Sequence, residues 1–189
     1  MTDNTQLADV LRELQFLKDK VADIEGKLML VPDIERYGKL QQALSIGDLK
    51  GADLQTTAVI LETAGKNRET LTPEDMSTFP CNVLMVIDRL WKTYSHDRFG
   101  FSVQLALYQS AGGSINSLRR QDMEVLRKFG EQVGWRENEE WVIRSTYDTW
   151  DFSLSRSPGS FPAAWWDSPY GVKMVTFCFL RLLECNLTQ

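Results

Sequence analysis

Apolar residues recur along this chain at helical spacings. Leu7, Val10, Leu14, Leu17, Val21, Ile24 and Leu28 alternate by three and four, a heptad with Leu7, Leu14, Val21 and Leu28 at a and Val10, Leu17 and Ile24 at d. Glu13 and Lys20 occupy g positions, and Lys18 and Glu25 occupy the following e positions. A parallel dimer would therefore face opposite charges. Leu11 at e and Phe16 at c widen the apolar stripe, which equally suits a helix folded back on its own domain or a higher oligomer. The expected organisation is a coiled-coil helix over 1–28, loosened by Gly26 and ended by Pro32, a linker over 29–36, and a helical domain over 37–189.

From Tyr37 the pattern stays helical. Asp33 is a candidate cap for a short helix presenting Tyr37, Leu40 and Leu44. Asp48 begins a second helix, with Leu49, Ala52, Val59 and Ile60, that Gly65 stops. Thr72-Pro73-Glu74-Asp75 combines a capping threonine with proline at the first helical position. After Pro80 a longer helix carries Leu84, Ile87, Leu90, Trp91 and Tyr94 on one face. Another runs from about Ser102 to Gly112-Gly113, and Arg120 to Phe129 forms the next, stopped by Gly130. Gly134 to Ser160 is irregular and aromatic, and a last helix is expected from Gly171 to about Leu187. The fold class is all-α.

The 189 residues are 43% hydrophobic, with six Trp and nine Phe, enough for a packed core and against disorder. The net charge of -5 and the lack of a basic stripe argue against nucleic acid. The longest apolar stretch, Met174 to Leu183, is too short to span a bilayer and contains Arg181. No signal peptide is evident, and Cys81, Cys178 and Cys185 make an odd set at no metal spacing. Reduced thiols and a cytoplasmic location are expected. No catalytic set stands out. The only histidine, His96, lies in a polar turn without a nucleophile motif, and Asp151 reads as a brace of its own turn. An enzyme is not expected, nor a metal bound by protein side chains.

The most distinctive run is Arg98-Phe99-Gly100-Phe101-Ser102-Val103-Gln104, where two aromatics flank a glycine ahead of a helix. It stands in an ordered series: Leu40-Gln41-Gln42-Ala43-Leu44, Asp48-Leu49 with Ala52-Asp53, Phe79-Pro80, Ile87-Asp88 with Leu90-Trp91, then Val133-Gly134-Trp135, Trp141, Thr149-Trp150-Asp151 and Pro162. The series resembles the genomes-uncoupled-four family, the porphyrin-binding regulators of magnesium chelatase, across roughly Tyr37 to Lys173. The resemblance implies a helical domain shaped like a cupped hand, whose palm takes protoporphyrin IX or its magnesium form. It also implies that the large porphyrin-binding subunit of magnesium chelatase is the partner, and that contact with photosynthetic membranes is peripheral. The sequence departs from the pattern in three places. The N-terminal coil replaces a helical-repeat extension, Ser160 to Gly171 holds Trp165, Trp166, Asp167 and Tyr170 where basic residues are usual, and Arg144 stands where tryptophan is frequent.

A flat dicarboxylic pigment needs an apolar wall, rings to stack on and cations at the rim. Phe99, Phe101, Val103, Trp165, Trp166 and Tyr170 are the candidate wall, and Lys173, Arg98 and Arg144 the candidate carboxylate partners. Adjacent tryptophans in a loop of small residues are hard to bury together, which favours an open wall at Trp165-Trp166. Plain core packing competes at Phe101 and Val103. The alternative function is an oligomeric scaffold or signalling module whose palm holds a linear bilin or a protein partner.

Overall fold

The computed structural model describes residues 36–187, apart from the side chains of Arg144 and Ser145, together with residues 13–15, 17, 18 and 20. The chain divides into two units, residues 1–38 and 39–189. In the first, the described residues between 13 and 20 are helical, and Leu14 and Leu17 are 49% and 56% exposed. The rest of the expected coil, and the linker up to residue 35, lie outside the described residues.

The second unit is mostly helical. The helix over 36–45, α1, buries Leu40 and Leu44. Helix α2 (Leu49–Ala64) starts where Asp48 accepts a hydrogen bond from the Gly51 N–H, and ends at Gly65 with φ 62°. Thr72 and Asp75 form a reciprocal capping box on α3 (Pro73–Ser77), with proline inside the first turn. Helix α4 (Cys81–Ser95) buries Leu84, Ile87 and Trp91, the face the sequence pattern assigns inward. Helix α5 (Phe101–Ser110) follows a turn, and α9 (Lys173–Glu184) is the last helix among the described residues.

Between them the structure departs from the periodic reading. The helix expected from Arg120 to Phe129 is α7 (Met123–Gln132), capped by Asp122, and an unexpected short helix, α6 (Ile115–Arg119), capped by Ser114, precedes it. Gln121, at φ 52°, makes the break between them. Gly130 is inside α7 rather than its stop. A Cβ there would lie 2.5 Å from the Trp141 ring, so glycine is required for close approach, and Gly134 at φ 73° follows the helix instead. A two-stranded antiparallel ribbon, β1 (Arg136–Glu137) and β2 (Glu140–Trp141), pairs Arg136 with Trp141. Helix α8 (Ile143–Thr146) and two 3₁₀ turns, Tyr147–Thr149 and Ala164–Trp166, complete the irregular region.

Cys81 and Cys185 form a disulfide, and Cys178 is a buried free thiol. The expectation of reduced thiols is corrected for that pair. Residues 104 apart meet because the start of α4 packs beside the end of α9, which spacing alone does not reveal. Burial pushes the Cys178 thiol upward.

The Arg98–Gln104 run is a knot that holds the 156–166 loop. Asp88 of α4 accepts from the Ser102 N–H (2.8 Å) and hydroxyl (2.9 Å), capping α5 from a neighbouring helix because Gly100 cannot. Gln104 Nε2 donates to the carbonyls of Gly159 (3.0 Å) and Pro162 (2.9 Å). The Gly100 N–H donates to Phe161 O, and the Gly159 N–H to Arg98 O. Phe99 meets Phe161 edge to face at 5.1 Å, and Trp91 stacks on Phe161 at 5.9 Å. Gly100 has φ 136°, and a Cβ would stand 2.8 Å from Asp88 Oδ1, an oxygen already committed to Ser102. Gly100→Ala is therefore expected to lower unfolding free energy by about 2 kcal/mol. Chemical denaturation of the pair of proteins measures it, and an unchanged midpoint would refute the knot.

Candidate functional site

The knotted loop forms one side of a shallow hollow of about 230 Å³. Its opposite side is the outer face of α2, which contributes Lys50 and Leu54. Arg68, from the turn after α2, stands at one end, and Ile143, Tyr147 and Asp148 come from α8 and the following 3₁₀ turn. Ala164 and Asp167 supply the loop edge.

Beneath it lies Asp53, fully buried. Its Oδ1 accepts from the Ala163 N–H (2.7 Å), its carboxylate also takes the Ala164 N–H, and Oδ2 accepts from the Tyr147 hydroxyl (2.8 Å). Burial pushes this carboxyl up to about 6, against the lowering effect of those donors and of Arg68. Burial and the adjacent carboxylate raise Tyr147 as well. One aspartate thus fixes α2, the loop start and the Tyr147 turn together.

Two cations border the hollow. Arg68 Nη1 donates to Ala164 O at 2.8 Å. Lys50 Nζ pairs with Asp148 at 2.8 Å and stands 5.4 Å from the Phe152 ring centre. Leu54 is 42% exposed beside them. The edge is thus apolar at Leu54 and Ile143 and carries cations that can exchange a protein partner for a ligand carboxylate. Among the described residues no group of three or more His, Cys, Asp or Glu converges as a metal site.

The residues singled out from sequence fall elsewhere. Phe99, Phe101, Val103, Trp165 and Trp166 are buried, and the two tryptophans are each 2% exposed. The open tryptophan wall is not what the structure shows. The Ala164–Trp166 turn sends the neighbouring indoles to different partners. Trp165 meets Phe101 edge to face at 5.9 Å, and Trp166 packs on Trp135 at 5.2 Å and Trp141 at 5.8 Å. Tyr170 is 41% exposed. Lys173 is half-buried, with its ammonium 5.5 Å from the Phe177 ring centre. Arg98 donates to Arg156 O at 2.7 Å, bracing the loop from within the chain. The Arg144 side chain lies outside the described residues.

Sequence reasoning missed Lys50, Arg68, Asp53 and Tyr147. Asp53 had a signal: it sits on the buried face of α2 with Leu49, Ala52, Thr56 and Ile60, where a carboxylate requires donors. Arg68 and Lys50 had none, because solvated turn and helix cations look alike in sequence.

Residues 32–175 match the family model described as GUN4-like. The chain is 31% identical over 129 residues to a Ycf53-like protein of Synechocystis, a stretch covering 67% of this chain and 50% of that protein. It is 32% identical over 102 residues to the protein ycf53 of Pyropia yezoensis, covering 52% of this chain and 38% of that one. The chain thus spans half or less of the curated relatives it matches. The fold is similar to the ligand-free structure of Arabidopsis thaliana GUN4, with TM-score 0.56, 19% identity, and 76% of this chain and 93% of that one covered. It is equally similar to GUN4 from Chlamydomonas reinhardtii, with TM-score 0.57, 20% identity, and 76% and 85% covered.

Proposed function

The chain belongs to the GUN4-like family, and from that premise we propose that it binds a tetrapyrrole, protoporphyrin IX or its magnesium form, and stimulates magnesium chelatase through the chelatase's large porphyrin-binding subunit. The family and the fold are consistent with tetrapyrrole binding and chelatase regulation in general, and the family is regulatory rather than catalytic. The observation that carries the reading is the family match across residues 32–175. The hollow beside Arg68 supports it locally. Ordinary ligand pockets begin near ~300 Å³, so about 230 Å³ accommodates the edge of a macrocycle, with the ring lying over Leu54 and the loop. In this pose Arg68 and Lys50 take the propionates, and Trp165 and Trp166 support the loop one layer below. Tyr170 is the most exposed of the described site candidates, and Lys173 and Arg98 are half-buried.

Among the described residues no helix is long and apolar enough to cross a membrane. The half-exposed Leu14 and Leu17 occupy a and d positions, which supports self-association through residues 7–28. Light scattering on the full chain, and on a chain carrying Leu14→Glu and Leu17→Glu, is expected to show an oligomer that the double substitution dissolves.

The direct test is a side-by-side titration with protoporphyrin IX, its magnesium form and biliverdin, read by tryptophan quenching and the pigment's absorption band. Binding of the cyclic pigments is expected. Arg68→Ala removes a charge-assisted bond and is expected to raise their Kd roughly tenfold, with a small fall in melting temperature from the lost donor to Ala164 O. An unchanged Kd removes Arg68 from the site. No cyclic binding, or binding of biliverdin alone, overturns the porphyrin reading. A chelatase assay with and without the protein tests the partner.

A further inference from the structure

The disulfide lies apart from the hollow at Arg68. Cys81 is the first residue of α4, and Cys185 caps α9. Both are half-buried, within reach of a small reagent, whereas Cys178 is fully buried. The start of α4 has no side-chain cap, because its N-cap is Pro80, and its first turn contains no acidic residue. The positive end of this 15-residue helix is therefore uncompensated beside Cys81 Sγ. A thiolate there is stabilised, which makes Cys81 the better leaving group in exchange.

A second hollow adjoins the bond, lined by the residue that follows each cysteine. It is an open hollow of about 450 Å³, lined along α4 from Asn82, Met85 and Val86 to Asp88, Arg89 and Lys92, by Ser102 of α5, and at the far end by Asn186 and Leu187. Met85 is 53% exposed there. The body of α9 has other holds: Arg181 Nε donates to Phe79 O at 2.8 Å, and Met174, Phe179 and Leu182 are fully buried. Opening the disulfide therefore removes the covalent tie between the start of α4 and the end of α9, and leaves Asn186 and Leu187 held by the burial of Leu187 and by backbone bonds to Leu183 O and Leu182 O.

We propose that Cys81–Cys185 is a reversible exchange site for a dithiol reductant, and that its opening unties the Asn186–Leu187 end of the hollow from its α4 side. One thiolate of the reductant attacks Cys185 Sγ, an S–S bond forms between them, and Cys81 Sγ leaves with the electron pair of the broken bond. The second thiolate of the reductant then attacks its own sulfur partner in the mixed disulfide. The reductant departs as a cyclic or intramolecular disulfide, and Cys185 leaves as thiolate. Two electrons pass from reductant to protein, and the two protein thiolates take up protons from water. This device stands independently of the pigment reading.

The experiment uses the full chain, air-oxidised, with dithiothreitol as the reductant and a maleimide mass tag under native conditions. Before reduction no tag enters; afterwards Cys81 and Cys185 are tagged and Cys178 is not, with the far-ultraviolet circular dichroism retained. Amide exchange quickens at 82–86 and 185–187 and stays unchanged across Phe101–Tyr108. With single thiols left in place, the Cys185→Ser protein is alkylated by iodoacetamide a few-fold faster than the Cys81→Ser protein. Tagging before reduction would show that the bond does not form and overturns the proposal. Tagging only together with loss of helical signal, or with exchange quickened throughout the domain, would make the disulfide a structural lock and also overturns it. Faster alkylation of Cys185 reverses the assigned leaving group and overturns the stated order of exchange.

Discussion

Replacing Asp53 with alanine is expected to destabilise the domain by about 3–5 kcal/mol. The carboxylate accepts from two consecutive backbone N–H groups, Ala163 and Ala164, and from the Tyr147 hydroxyl. Alanine leaves all three donors inside the protein without an acceptor and creates a small void beneath the hollow. Asp53→Asn keeps an oxygen for the Ala163 N–H and resembles the protonated carboxyl in shape, so it separates charge from packing. With the carboxyl pushed up from 3.8 to about 6 in the folded chain, the folded state binds the proton more tightly than the unfolded one. This contribution to stability is fully present below pH 3.8 and is lost as pH rises through 6. The shift corresponds to about 3 kcal/mol between those limits. Thermal melts from pH 4 to 7 should therefore show a decline in the natural protein that flattens in Asp53→Asn. An equal decline in both proteins would assign the slope to other groups, and a mild effect of Asp53→Ala would refute its role as the clamp.

Asp53 also shows how far the sequence could be read. Helices α2, α3, α4 and α5 were legible because their caps and stripes are local: Asp48 and Gly65, the Thr72–Asp75 box, and Leu84, Ile87 and Trp91 in register. The family was legible too, through the order of its landmarks. Those landmarks turn out to be structural ties. Gln104, Asp88 and Asp53 each satisfy backbone groups of a distant segment. A motif of aromatics around a glycine looks the same whether it faces a ligand or braces a loop, since the distinction depends on residues such as Phe161 and Gly159 about sixty positions away. The hollow is built mainly from side chains with no pattern of their own, Lys50 and Arg68 above all. The Cys81–Cys185 bond was hidden for the same reason: it depends on where α9 docks.

Alanine at Trp165 or Trp166 is expected to cost about 3–5 kcal/mol each, as much as alanine at Asp53. Both indoles are 2% exposed, so each truncation opens a cavity, beside Phe101 for Trp165 and between Trp135 and Trp141 for Trp166. Phenylalanine should separate the two positions. The Trp165 indole N–H donates to Pro162 O at 3.3 Å, and Trp165→Phe gives up that bond along with part of the ring. The Trp166 indole N–H has no partner among the described residues, so Trp166→Phe loses packing area alone, keeps its rings facing Trp135 and Trp141, and relieves a buried unmatched donor. Denaturant unfolding is therefore expected to rank Trp166→Phe as the milder substitution. Pigment titration of that protein then decides what Trp166 does. Retained affinity places the indole in support of the loop, and a lost response in a stably folded Trp166→Phe protein would place the ring against the pigment and require the 160–171 loop to open when it binds.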